Sequence, residues 1–230
     1  MHTTVAPSAS PEPGSVELAS PEPDSAQAGT AAGAPASRDS ARQTARDELK
    51  AIALRQFASA GFAGTSLQHI ADSAGYSKSS VLYHFASKEA LLEATLTPAM
   101  DTLGEILDRF VARGASRSSQ DEFVTEFIDF LLANRLQVHM FVNQGQSLQG
   151  MAVIQRADDL IAKLAKSLCG EMLTAEERVR FAVALGGAAY MLSAAETWST
   201  GPLAEDETRA ALVTVVSELL APMQLRPMAP

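Results

Sequence analysis

Cysteine is almost missing from this 230-residue chain, where Cys169 is the only one. No intrachain disulfide can form, which excludes a disulfide-stapled secreted scaffold. Long apolar runs are also missing, and the start, Met1-His2-Thr3-Thr4, has neither the basic nor the apolar region of a signal peptide. A reducing, cytoplasmic setting without membrane contact is the expectation. No zinc, nucleotide or nucleophile-elbow motif occurs, and no second His, Cys or acid stands at ligand spacing from His139. Neither a metal nor another cofactor nor a catalytic residue is expected, and an all-α enzyme is an alternative without a visible constellation to support it.

A basic excess is lacking as well. The formal net charge is −9, a poor match to a generic nucleic-acid binder, but the charge is unevenly placed. The first 37 residues hold four acids and no base, residues 38–97 hold seven bases against six acids, and the remainder holds eleven bases against seventeen acids. Any contact with DNA therefore falls in the middle segment, where local charge can assist it.

What is present begins with a tail. Residues 1–37 are mostly Ala, Ser, Pro, Glu and Gly, with the near-repeat ASPEPGS and ASPEPDS; they cannot bury enough apolar surface to offset chain entropy and read as disordered. Helical periodicity follows. Ser40 and Gln43 have capping-box spacing, Leu49, Ile52, Ala53, Phe57 and Ala60 recur at three and four, and Gly61 suits a helix stop. Thr65 and Gln68 offer a second capping box, Gly75 ends that helix, Ser77 caps a third and Ser87 a fourth. Further apolar patterns span about 88–112, 120–134, 137–147, 151–168, 175–199 and 206–220, with Pro98 expected to kink or break the first and Thr174 and Glu177 capping the fifth. No stretch alternates as a strand does, so the fold class is all-α.

Residues 65–92, TSLQHIADSAGYSKSSVLYHFASKEALL, place two short helices about a glycine turn, which is the helix-turn-helix arrangement. Leu67, Ile70, Ala71 and Ala74 face Val81, Leu82 and Phe85 as its apolar seam. The second helix opens Ser77-Lys78-Ser79-Ser80, small hydroxyl residues beside a lysine, suited to a helix end entering the major groove. Lys78 can reach a phosphate or a guanine edge, and Ser79 and Ser80 can hydrogen-bond without blocking approach. Thr65 belongs to the same expected surface, with Ser66 and Lys88 at helix N-termini as phosphate binders and Tyr83 and His84 next in line. Arg42 and Arg46, spaced by four along one side of the first helix after Arg38, either touch the phosphate backbone or form a solvated face paired with neighbouring acids.

The run AxxxFxxxGFxxTSxxxIAxxAGxSKxxxxYHFxSKExL, from Ala53 to Leu91, resembles the tetracycline-repressor (TetR) family, with Phe57, Gly61, Phe62, Ile70, Gly75, Lys78, Tyr83, Phe85 and Lys88 among the residues that carry the likeness. In one departure, the family's usual tyrosine position, seven after the turn glycine, holds Leu82, with Tyr83 one place later. The resemblance implies a three-helix DNA-binding domain at 38–95 followed by a helical ligand-binding and dimerisation domain at 96–224. It also implies a homodimer, through the helices at about 175–199 and 206–220, and a repressor released from a palindromic operator by a small molecule. Apolar side chains between 100 and 150 suggest a mainly hydrophobic effector, with Met100, Phe110, Phe127, His139, Met140, Phe141 and Asn143 as candidate pocket residues. A helical adaptor regulated by a protein partner, through the acidic tail, is the other alternative.

Overall fold

The computed structural model describes residues 35–114, 116–169, 174–194 and 204–222, and all regular structure among them is helical. The expected tail at 1–37, except for its last three residues, lies outside the described residues. α1 (Pro35–Gly64), α2 (Leu67–Ala74) and α3 (Lys78–His84) form the N-terminal unit, and α4 (Lys88–Arg113) leads from it into the rest. There α5 (Arg117–Ala133), α6 (Arg135–Gln144) and α7 (Ala152–Cys169) are followed by α8 (Ala175–Phe181), α9 (Gly187–Ser193) and α10 (Glu205–Leu220). A short 3₁₀ turn, Gly145–Leu148, follows α6, and a π turn, Ala182–Gly186, joins α8 to α9.

Local chemistry explains several helix ends. Ser77, Ser87 and Ser116 each accept the backbone N–H three residues on, and Thr174 and Glu177 form both halves of a capping box. Gly75 ends α2 at φ +71°, where a side chain would be strained, and its N–H reaches the carbonyls of Ala71 and Asp72.

Three helix-end expectations are corrected. α1 already runs through Ser40, so Ser40 and Gln43 lie inside the helix rather than at its start. Ser66, not Thr65, caps α2, accepting from His69 N at 3.1 Å. Pro98 does not break α4, which continues to Arg113. A missing hydrogen bond there costs about 3 kcal/mol, while burial of Leu96, Ala99, Met100, Ile106, Leu107 and Phe110 on the same helix contributes about 1.5–3 kcal/mol for each large side chain.

One apolar core runs through both halves. Leu49, Ala53 and Phe57 of α1, Ile70 and Ala71 of α2, Val81 of α3 and Leu91, Leu92 and Leu96 of α4 are buried in it, and it continues through Phe123, Ile128, Met140 and Leu168 to Leu220. Leu82 is the exception in the expected helix-turn-helix seam, being 43% exposed. Val81 and Phe85, four apart, share the inward face, and the next residue after Val81 turns about 100° away from it.

Candidate nucleic-acid interface and ligand cavity

The outward face of α3 is built by position rather than by pairing. Ser77 caps the helix, and its Oγ lies 2.9 Å from both Ser79 Oγ and Ser80 Oγ. Lys78, Ser79, Leu82 and Tyr83 are exposed beside them. Lys78 has no ion-pair partner among the described residues. Tyr83 is 67% exposed, and the Arg42 guanidinium lies 4.9 Å from its ring centroid, a cation–π contact that holds the phenol outward. Charge, hydroxyls and a protruding aromatic thus share one exposed face.

Other expected contact residues are employed inside the fold. Arg46 donates to the His84 carbonyl at 3.1 Å, closing the C-terminal end of α3, and stacks 4.6 Å over Phe85. The Lys88 ammonium donates to the carbonyls of Phe62 (2.8 Å) and Thr65 (2.9 Å) and sits 4.2 Å over the Phe62 ring. Thr65 is corrected as a surface residue: it is buried, and its hydroxyl is 2.9 Å from the Gly61 carbonyl and 3.2 Å from that of Gln56. Ser66 stays exposed while capping α2. Burial, then the neighbouring Arg42 and Arg46, pushes the His84 imidazole below its usual range, so it stays neutral near pH 7. Leu82 is an outward residue that the apolar seam pattern hides, and its place one step past Val81 is the sequence signal for it.

In the larger unit, α4, α5, α6, α7 and the α8–α9 segment surround a cavity of about 550 Å³. Of the candidate pocket residues, Met100, Phe127 and Phe141 line it, together with Leu103, Phe123, Phe130, Ile154, Leu164 and Leu185. Among the described residues its polar lining is Gln137, Gln146, Gln149 and Asp158, with no cation.

Four candidates lie elsewhere. Phe110 packs on Phe123 with centroids 5.0 Å apart. Met140 is fully buried with its sulfur 3.2 Å from the Gln144 amide nitrogen. His139 Nδ1 meets the Ser193 carbonyl at 3.2 Å, and Asn143 donates back to the His139 carbonyl. Helix periodicity could not separate these from lining residues, because both groups share α4 and α6 and the face that meets the cavity is set by the other helices that line it. The glutamines and Asp158 lie on elements whose mutual approach is a tertiary fact.

The family model described as bacterial regulatory proteins, tetR family, matches residues 51–95, from the middle of α1 into α4. Over that segment the chain is similar to the TetR family. Among similar proteins, the transcriptional repressor KstR2 of Rhodococcus jostii is 31% identical over 115 residues, covering 50% of this chain and 56% of that protein. The chain thus matches little more than half the length of that relative. The transcriptional regulator BetI of Burkholderia ambifaria is 29% identical over 177 residues, 74% of this chain and 90% of that one. A solved TetR-family regulator from Bordetella parapertussis superposes with a TM-score of 0.62 at 22% identity, covering 80% of this chain and 98% of that one. These TetR relatives are named as regulators of transcription, not as enzymes, and the structural likeness extends the TetR fold across both units.

Proposed function

We propose that this chain is a homodimeric repressor of the TetR family that binds a palindromic operator and leaves it when a mainly hydrophobic small molecule fills the cavity. Residues 38–95 carry the DNA contacts and residues 96–224 the effector and the partner subunit. The observation that carries the reading is the pairing of the exposed Lys78, Ser79, Leu82 and Tyr83 face of α3 with an apolar cavity in the same continuous core. Lys78 and Arg42 contact phosphates, while Ser79, Ser80, Leu82 and Tyr83 meet base edges or sugar, and Ser66 offers a further phosphate contact at the start of α2.

A dimer is supported by the outer face of the α8–α9 segment. Val179, Val183, Tyr190 and Met191 are exposed there, with Val215 exposed on α10, and Gly186 and Gly187 have open space where a Cβ would stand. Such a stripe is suited to close approach of a second copy. Two-fold symmetry then sets two copies of α3 about 34–36 Å apart, one turn of DNA.

The effector is uncharged or positively charged over most of its length, because no cation among the described residues lines the cavity to neutralise an anion, and desolvating an unpaired anion is costly. Selection of bound sequences from random DNA, followed by binding titrations, tests the reading. A two-fold symmetric site bound with strong salt dependence is expected; absence of sequence preference, with Lys78→Ala leaving affinity unchanged, refutes it.

A further inference from the structure

α1 contains a break that another helix fills. Gly61 has φ +78° and ψ 157°, which turns the next peptide away from helical alignment. The Phe62 N–H is taken by Gln144 Oε1 at 2.8 Å, and on the other side of the break the Phe57 carbonyl accepts Gln144 Nε2 at 2.9 Å. One side-chain amide thus bridges the two sides of the kink, completing backbone pairing in a half-buried place where an unmet group is costly.

Gln144 is the last residue of α6. Phe141, Val142, Gly145 and Gln146, before and after it, line the cavity, whereas Gln144 itself does not. Beyond the kink, Phe62 leads within four residues to Ser66, the cap of α2. The amide is therefore the point where the cavity wall is hydrogen-bonded to the helix that carries the DNA-reading unit.

We propose that Gln144 is the positioning residue that couples the cavity to the DNA-binding unit, a reading that rests on the effector site assigned above. A ligand that displaces Phe141 and Gly145 moves the end of α6. Because Gln144 holds Phe62 with an acceptor and Phe57 with a donor, the displacement bends α1 at Gly61 and carries α2 and α3 with it. Apolar contact between α1 and α6 alone would let the two surfaces slide; two directional hydrogen bonds from one amide do not.

Nile red, a neutral hydrophobic dye, serves as cavity probe for the full chain, with amide NMR and hydrogen exchange read at Phe62. In the parent protein, saturation with dye is expected to shift the Phe62 amide resonance and change its exchange rate by about tenfold, the scale of one hydrogen bond. Gln144→Leu keeps dye affinity within about twofold and abolishes the dye-induced response. Gln144→Glu keeps an acceptor for Phe62 but loses the donor to Phe57 at neutral pH. Lowering the pH to protonate the introduced carboxyl returns that donor and is expected to restore the response, which a purely structural role would not produce. Circular dichroism confirms that each variant is folded. If the dye does not bind the parent protein, the effector site itself is refuted. If it binds and Phe62 responds equally in the parent and both variants, or does not respond in the parent, the coupling role of Gln144 is overturned.

Discussion

Replacing Lys88 tests the division between residues that hold the fold and residues that meet DNA. Its ammonium makes two charge-assisted hydrogen bonds, to the carbonyls of Phe62 and Thr65, and a cation–π contact with Phe62. Each such hydrogen bond is worth about 1.5–3 kcal/mol when buried. Lys88 is only half-buried, which reduces each to about 1 kcal/mol, and the ring contact adds about 0.5–1 kcal/mol. Lys88→Ala is therefore expected to cost about 2–3 kcal/mol. In a chain of this size that lowers Tm by about 5–10 °C, read by circular dichroism. Operator affinity measured against salt concentration supplies the second axis, since each phosphate contact contributes a slope of about −0.9. Because the dimer presents each residue twice, Lys78→Ala is expected to reduce the slope by about two with Tm unchanged, and Lys88→Ala to lower Tm with the slope nearly intact. Lys88→Ala that spares Tm while removing about two units of slope would refute the reasoning and return Lys88 to the phosphate backbone.

Other perturbations reach the remaining parts. Ala157→Phe, on the cavity wall, is expected to weaken Nile red binding at least about tenfold while operator affinity stays within about twofold; unchanged dye binding would place the ligand elsewhere. Val183→Asp puts a charge on the exposed stripe of the α8–α9 segment and is expected to shift sedimentation from dimer toward monomer with loss of operator binding. A persistent dimer would move the interface off that stripe.

The pH dependence of stability has two windows. His84 is held below its unfolded value of about 6.5, so the unfolded state gains the proton first and stability declines as pH falls through about 6.5; His84→Gln is expected to flatten that region of a urea-midpoint profile. Hydrogen bonding to Arg209 holds the Asp129 carboxyl below its usual range. For Glu126, burial pushes the carboxyl up, but pairing with Arg109 and Arg113 outweighs it. Their contribution is fully present above the unfolded values and is lost as pH falls below about 4.5, with each exposed pair worth at most about 1 kcal/mol. A profile flat from pH 7 to 3 would contradict both assignments.

Much of this protein is written in local sequence. Ser77, Ser87 and Thr174 fix helix starts because a side-chain oxygen meets an N–H only three residues on, and Gly75 fixes a helix end because a positive φ strains other residues. The spacing from Ala53 to Leu91 contained the helix-turn-helix, since its seam repeats at helical intervals within one short segment. What local pattern could not supply is which polar groups are already occupied. Thr65, Arg46 and Lys88 look from sequence like surface donors, and Thr65 and Lys88 are bound up only because the α1 kink presents its carbonyls to them. The cavity lining is decided in the same way: Phe141 and Asn143 sit two apart on α6, yet only the enclosure of the cavity by α4, α5 and α7 makes Phe141 a wall and leaves Asn143 off it. Gln144 has no signal in its own neighbourhood, because its partners lie 82 and 87 residues away. Sequence determined the helices and the DNA-reading unit through interactions of short range; tertiary structure decided the cavity and its link to that unit, because both arise where distant helices meet.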